Sequence, residues 1–309
     1  MNKLIIIIRG HIRNSFNNKN LLNKIIFLIN NFDVDIYIQT WNRFEASKSW
    51  RYLEEVNTIV SKEKILSYFN VIKDKIKEIE ILNENNINIV GEKNGLISCS
   101  RMPILNWKYM IYGIYHILDL LYSKNINYDK VLNLRFDLFD HDLSLKHLSI
   151  GDNQLLSIIK NYKNDVFLFK YFTISNVICV DNILLSSLDS MYKLYKIINF
   201  NLDSIIKKHI NIIFQESIIL FESLNMQNFY KYIVFGFNNE IYKYINKNNI
   251  AKKDIIVITN YENKDINYNK LECSYKEFLN VYNHENTKFI IDKNLEYLIE
   301  FIYTEKVLI

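Results

Sequence analysis

The run Leu4-Ile5-Ile6-Ile7-Ile8 limits the possible folds more than any other stretch. Apolar residues without alternation leave no polar face for water. The segment is therefore expected to be a strand buried on both faces, as strands are in a parallel sheet covered by helices. It stops at Arg9-Gly10-His11-Ile12-Arg13. Gly10 permits a tight turn. Leu22, Ile25, Ile26, Ile29 and Phe32 then recur at helical spacing. Strand, glycine turn and helix, in that order, point a helix N-terminus at an anion. Arg9, His11 and Arg13 add side-chain donors, and a guanidinium matches phosphate geometry. With one glycine the turn is neither a P-loop nor a GxGxxG fingerprint, and a plain solvated turn would also account for it.

The same alternation continues. Asp33 to Asn42 reads as a second strand ending in Thr40, Trp41 and Asn42. Trp41 can stack on a nucleobase or cap the core. Ser61 opens a periodic segment with Ile65, Leu66, Phe69, Ile72, Ile76 and Ile79 on one face, expected as an amphipathic helix with a serine cap. Asn88-Ile89-Val90 is expected as a short strand. From about Leu105 to Tyr122 the stripe Trp107, Met110, Ile111, Ile114, Leu118 and Leu121 predicts a helix with a core face. The next strand, from Tyr128, ends in Arg135-Phe136-Asp137, closely followed by Asp140, His141 and Asp142. Ligands of open α/β sheets bind outside the carboxyl ends of the strands. A cation and a carboxylate one residue apart at such an end can grip a phosphate and a metal, or a phosphate and a sugar hydroxyl. A solvated acidic turn is the plainer alternative.

Beyond Leu143 the pattern loosens. Strands are expected over 165–169 and 176–180, in a mixed or antiparallel part of the sheet, and a helix over Leu185, Leu188, Met191, Tyr192 and Tyr195. A long helix is expected from Asp203, placed as its N-cap, with His209 and Glu216 on its apolar stripe. A carboxylate there is either paired with a cation or backbone donors, or has its pKa raised by desolvation, which suits a general base. Strands over 232–235, 254–258 and 288–291 and a helix over 295–303 complete the chain. The expectation is an α/β protein with a mixed, mainly parallel sheet flanked by helices. Residues 1–226 would form the catalytic domain and 227–309 a small C-terminal α/β extension packed on it.

The formal net charge of +4 comes from interleaved charges. A nucleic-acid binder would concentrate basic residues on one face, so a nucleic-acid partner is not expected. Cys99, Cys179 and Cys273 form no CxxC pair and suggest neither a zinc site nor a disulfide framework. The apolar run at the N-terminus is too short for a signal peptide, and nothing reaches the length of a membrane span. A cytoplasmic protein is expected, with loose contact to an anionic membrane surface left open.

Taken together, Arg9-Gly10-His11-Ile12-Arg13, Asp35-Ile36-Tyr37-Ile38-Gln39-Thr40-Trp41 and Tyr128-Asp129 through Arg135-Phe136-Asp137-Leu138 resemble, in order and spacing, bacterial polysaccharide glycosyltransferases of capsule, O-antigen and lipooligosaccharide assembly. The resemblance covers about the first 140 residues. It implies a GT-A-like, Rossmann-like fold binding a nucleotide-sugar donor at its strand ends, with a glycan or lipid-linked glycan as acceptor. Arg9, Gly10, His11, Arg13, Thr40, Trp41, Asn42, Arg135 and Asp137 would line the donor site, and Asp137 and Glu216 would be the catalytic carboxylates. That fold usually holds Mn²⁺ or Mg²⁺ through Asp-x-Asp. Here Arg-Phe-Asp stands in that place, so Asp137 is the one metal ligand implied, and Arg135 can neutralise phosphate directly. Transfer of another nucleotide-activated group, such as a phosphoryl-type capsule modification, and a non-catalytic binding protein on the same fold are the rival expectations.

Overall fold

In the computed structural model the described residues are 3–43, 58–97, 102–125, 128, 130–139, 155, 156, 159, 160, 166–169, 183–209, 218, 219, 222, 231–235, 255–260 and 290–292. The chain divides into two compact units. Met1–Leu145 with Ser187–Gln215 forms the first, and Lys146–Ser186 with Glu216–Ile309 the second.

The first unit is a parallel sheet flanked by helices. Its strands are β1 (Lys3–Arg9), β2 (Asp33–Trp41), β3 (Ile76–Leu82) and β4 (Lys130–Arg135). They lie in the order β3-β2-β1-β4, every neighbouring pair parallel. Leu4 to Ile8 are buried completely, because β1 is central and covered on both faces. Each such side chain contributes about 1.5–3 kcal/mol by leaving water. The helices are α1 (Asn20–Ile29), α2 (Lys62–Tyr68), α3 (Ile104–Ser123), α4 (Leu188–Phe200) and α5 (Leu202–Lys208). Trp107, Ile111, Ile114, Leu118 and Leu121 of α3 are buried, on the stripe the spacing predicts. Gly113 on that stripe lets the helix approach β2: a Cβ there would stand 2.8 Å from Gln39 Oε1.

The register places Arg9 opposite Gln39 on one side and Arg135 on the other. The ends of β1, β2 and β4 are therefore level. The chain runs outward from β1 through β2 to β3, then returns to place β4 on the far side of β1. The reversal makes the boundary between β1 and β4 a topological switch point, the place where open α/β sheets take their ligands.

In the second unit, β5 (Val166–Phe169) pairs antiparallel with β6 (Ile183–Ser186) and parallel with β7 (Lys231–Phe235). Next come β8 (Ile255–Asn260) and β9 (Ile290–Asp292), both parallel. The mixed, mainly parallel α/β architecture is thus as expected. The strand expected over 176–180 and the helix over 295–303 lie outside the described residues.

Several local expectations are corrected. The helix capped by Ser61 ends at Tyr68, and Ile76 and Ile79 belong to β3. Glu78-Ile79-Glu80-Ile81 alternates at period two, and this strand pattern prevails beside β2. Residues 87–90 form no strand, and Val90 is largely exposed. Leu185 sits in β6, because the Ser187 side chain accepts from Ser190 N and starts α4 after it. Asp203 is not an N-cap. It lies inside α5, which ends at Lys208 with His209 as its C-cap.

The Asp203 carboxylate serves another purpose. Lys108 on α3 is fully buried and donates from Nζ to Asp203 Oδ1 at 2.6 Å and to the Val90 carbonyl at 2.9 Å. Asp203 Oδ2 accepts from Glu92 N at 3.3 Å. Gly91 completes the clamp with φ +81° and no room for a Cβ, which would fall 1.6 Å from Asp203 Oδ2. Gly91→Ala is therefore expected to lower the melting temperature measurably, by breaking this carboxylate's contacts as well as by its positive φ.

Candidate anion-binding site

The ends of β1 and β4 bring Arg13, Arg135 and Asp137 together. Asp137 lies in the short 3-10 turn Phe136–Phe139 directly after β4 and is 4% exposed. Arg135 meets it edge-on, with Nε donating to Oδ1 at 2.9 Å and Nη2 to Oδ2 at 2.6 Å. Arg13 Nη1 donates to the same Oδ2 at 2.5 Å. Paired N–H donors on one carboxylate are the strong form of this interaction. Arg13 reaches this position with φ +52°, in the left-handed region unfavourable for a side chain with a Cβ. Such strain persists where the surroundings over-determine it, and it gathers at functional sites.

The turn after β1 is pinned by its neighbours. Gly10 has φ +91°, its N–H donates to the Gln39 carbonyl at 3.1 Å, and its carbonyl accepts from Thr40 Oγ1 at 2.9 Å. Thr40 is fully buried and serves this backbone bond. Asn42 donates its N–H to the Leu82 carbonyl and accepts from Val60 N. Arg9 is buried at the strand end, and its Nε donates to Asn133 Oδ1 at 2.7 Å. Asn133 is a residue the sequence reading missed. An amide between Leu132 and Leu134 in an otherwise apolar strand was the available signal.

His11 and Trp41 meet beside this cluster. Their rings stack with centroids 5.9 Å apart, and Tyr109 of α3 packs edge-on against Trp41 at 5.7 Å. Trp41 is 3% exposed. His11 Nδ1 faces the Arg43 carbonyl at 3.5 Å, and Nε2 faces Glu84 Oε1 at 3.8 Å. Burial, then the Arg13 guanidinium, push the His11 pKa from 6.5 down to about 4, with Arg135 acting the same way and Asp137 and the Arg43 carbonyl opposing. Burial also raises the Glu84 carboxyl, with Arg43 opposing.

A histidine whose folded pKa is lowered is neutral in the fold and binds its proton only after unfolding. Stability is fully present above pH 6.5 and falls as the pH drops from 6.5 towards about 4. The expected loss is about 3 kcal/mol over that window. His11→Asn is expected to flatten the slope in denaturant titrations at pH 7, 6 and 5. Comparing the two proteins isolates His11 from Glu84, whose raised pKa acts in the opposite direction. Equal slopes would show that His11 does not titrate in this way.

Glu216, Asp129, Asp140, His141 and Asp142 lie outside the described residues. Among the described residues no group of three or more His, Cys, Asp or Glu is placed to hold a metal ion. A divalent cation at Asp137 would have to displace two guanidiniums from its oxygens. It would then stand beside two positive charges. Mg²⁺ and its relatives want several oxygen ligands, carboxylates foremost. The described donor set does not fit such an ion.

No known family profile matches the chain, and no curated protein sequence does. Among solved structures, a galactosyltransferase LgtC in complex with donor and acceptor sugar analogs aligns at 11% identity, covering 78% of each chain, with TM-score 0.37. An active-site mutant of LgtC aligns at 11% identity over 71% of this chain and 69% of that one, again with TM-score 0.37. No helix among the described residues is long and apolar enough to cross a membrane.

Proposed function

We propose that the chain is a GT-A-like glycosyltransferase moving a sugar from a nucleoside diphosphate to a hydroxyl of a growing surface polysaccharide. One observation carries the reading: Arg13 and Arg135, from the ends of two neighbouring strands at a switch point, converge on a single carboxylate. Among the described residues, two guanidiniums and one carboxylate meet where open α/β sheets take their ligands. The motifs that resemble polysaccharide glycosyltransferases supply these residues.

The chemistry asks two things of the protein. The bond from the anomeric carbon to the phosphate oxygen breaks, and the diphosphate departs with the electron pair. The acceptor oxygen bonds to that carbon and releases its proton. Donors placed where the leaving charge grows lower the barrier, and Arg13 and Arg135 are the donors. The stacked rings of His11 and Trp41, beside the arginines, would meet the base or ribose. Glu216 is the residue proposed to take the acceptor's proton. The same reading keeps the protein among cytoplasmic enzymes that meet lipid-linked glycans at the membrane surface.

The test is mass spectrometry of the protein incubated with nucleotide sugars and oligosaccharide acceptors. Release of nucleoside diphosphate with gain of one monosaccharide by the acceptor is expected. Arg135→Ala is expected to abolish it, and Asp137→Ala, which removes the group that holds the two guanidiniums together, to change its rate. Unchanged product from both variants would overturn the proposal.

A further inference from the structure

We propose that Asp137 is a built-in counter-anion of a cation-independent diphosphate seat, one that a phosphate group displaces on binding. The inference rests on the glycosyltransferase reading and specifies how its donor is held.

Geometry carries the argument. Arg135 presents Nε and Nη2, the edge that forks onto a two-oxygen anion, to Oδ1 and Oδ2 of Asp137 at 2.9 and 2.6 Å. Phosphate and carboxylate compete for this edge, because both offer two oxygens at matching separation. Arg13 Nη1 closes on Oδ2 from the turn after β1, the strand beside β4. The carboxylate thus holds both guanidiniums in a converged arrangement at the strand ends. Without it, two like charges held this closely would repel. The left-handed backbone at Arg13 keeps one of them in place at a conformational cost.

A carboxylate cannot be both the counter-ion of two arginines and the main ligand of a divalent cation. The arginines do the cation's work instead: they place positive charge beside a leaving diphosphate. A diphosphate bears more negative charge than a carboxylate, so it wins the fork, and Asp137 moves aside or keeps only part of its bonds.

The experiment is isothermal titration calorimetry on the full chain with inorganic pyrophosphate and with UDP, GDP, CDP, ADP and dTDP. Each ligand is titrated once in EDTA and once with Mn²⁺. Binding of pyrophosphate and of at least one nucleotide in EDTA, no weaker than with Mn²⁺, is expected. Asp137→Asn keeps the shape of the side chain and removes the competing charge, so it is expected to bind pyrophosphate at least about threefold tighter in EDTA. Arg13→Gln and Arg135→Gln are each expected to bind at least about tenfold more weakly. Binding that requires Mn²⁺, or that weakens in Asp137→Asn, would overturn the counter-anion while leaving the glycosyltransferase reading standing. No binding of any nucleotide or of pyrophosphate in either condition would remove both. The comparison of wild-type protein with and without Mn²⁺ decides the matter even where Asp137→Asn does not fold.

Discussion

Asp203→Ala is expected to destabilise the protein by about 3 kcal/mol, more than Lys108→Met at the other end of the same ion pair. The two partners differ in exposure: the Lys108 side chain is fully buried and that of Asp203 is 38% exposed. Removing the carboxylate leaves an ammonium inside the protein that still donates to the Val90 carbonyl but has lost its counter-ion. Such a group cannot be rehydrated without local opening, and an uncompensated buried charge is among the most costly single defects. Removing the ammonium instead leaves Asp203 near the surface, where water and Glu92 N still serve it. Methionine also keeps most of the apolar stem that α3 packs. The cost of Lys108→Met is expected near 1 kcal/mol. Urea titrations at pH 7 followed by circular dichroism check the order. Equal losses would show that the buried ammonium finds another partner, and the clamp between α3 and α5 would then be worth little.

Much of the sheet was readable from the sequence. Where a strand is buried on both faces, an unbroken apolar run is the required composition, and Leu4 to Ile8 shows it without ambiguity. The strand ends were readable for the same reason: a run that stops at Arg-Gly-His, or at Arg-Phe-Asp, marks where the backbone leaves the core. The α3 stripe was readable because twenty residues sample many helical turns. Failures fell where two periods overlap. Phe69, Ile72, Ile76 and Ile79 fit a helix, and Glu78 to Ile81 fit a strand. Pairing with β2, a non-local term, decides between them. Asp203 failed differently: a cap and a counter-ion look alike in sequence, and Lys108 lies 95 positions away.

The candidate site divides in the same way. Arg135 with Asp137 was legible as a pair, because two residues two apart in a turn can meet. That Arg13, 124 positions earlier, reaches the same oxygen was not. It depends on β4 lying next to β1, and strand order is a property of the packed sheet. Arg9 also donates to Asn133 and Thr40 to the Gly10 carbonyl, contacts that depend on neighbouring strands and that position at a strand end does not announce. Tyr109 and Glu84 gave no signal, since nothing local distinguishes them from other surface residues.

Arg135→Lys is expected to lose nearly as much diphosphate affinity as Arg135→Gln, although it keeps the charge. The guanidinium uses a planar edge, Nε and Nη2, to span both oxygens of one anion. An ammonium is a compact, strongly hydrated point charge that meets one oxygen at a time. If charge alone held the ligand, lysine would retain most of the affinity. If the fork holds it, lysine is expected to fall at least about tenfold, one charge-assisted hydrogen bond and its geometry being lost. Arg13→Gly separates binding from stability by another route. Glycine accepts φ +52° without a steric penalty, so the backbone relaxes while the guanidinium disappears. Asp137 keeps its two bonds from Arg135, and the carboxylate is not stranded. The expected result is a melting temperature within a few degrees of wild type, with binding of pyrophosphate and nucleoside diphosphates weakened at least about tenfold. A structural role for Arg13 predicts the opposite pair of readings, a clear fall in melting temperature with affinity preserved among the molecules that remain folded.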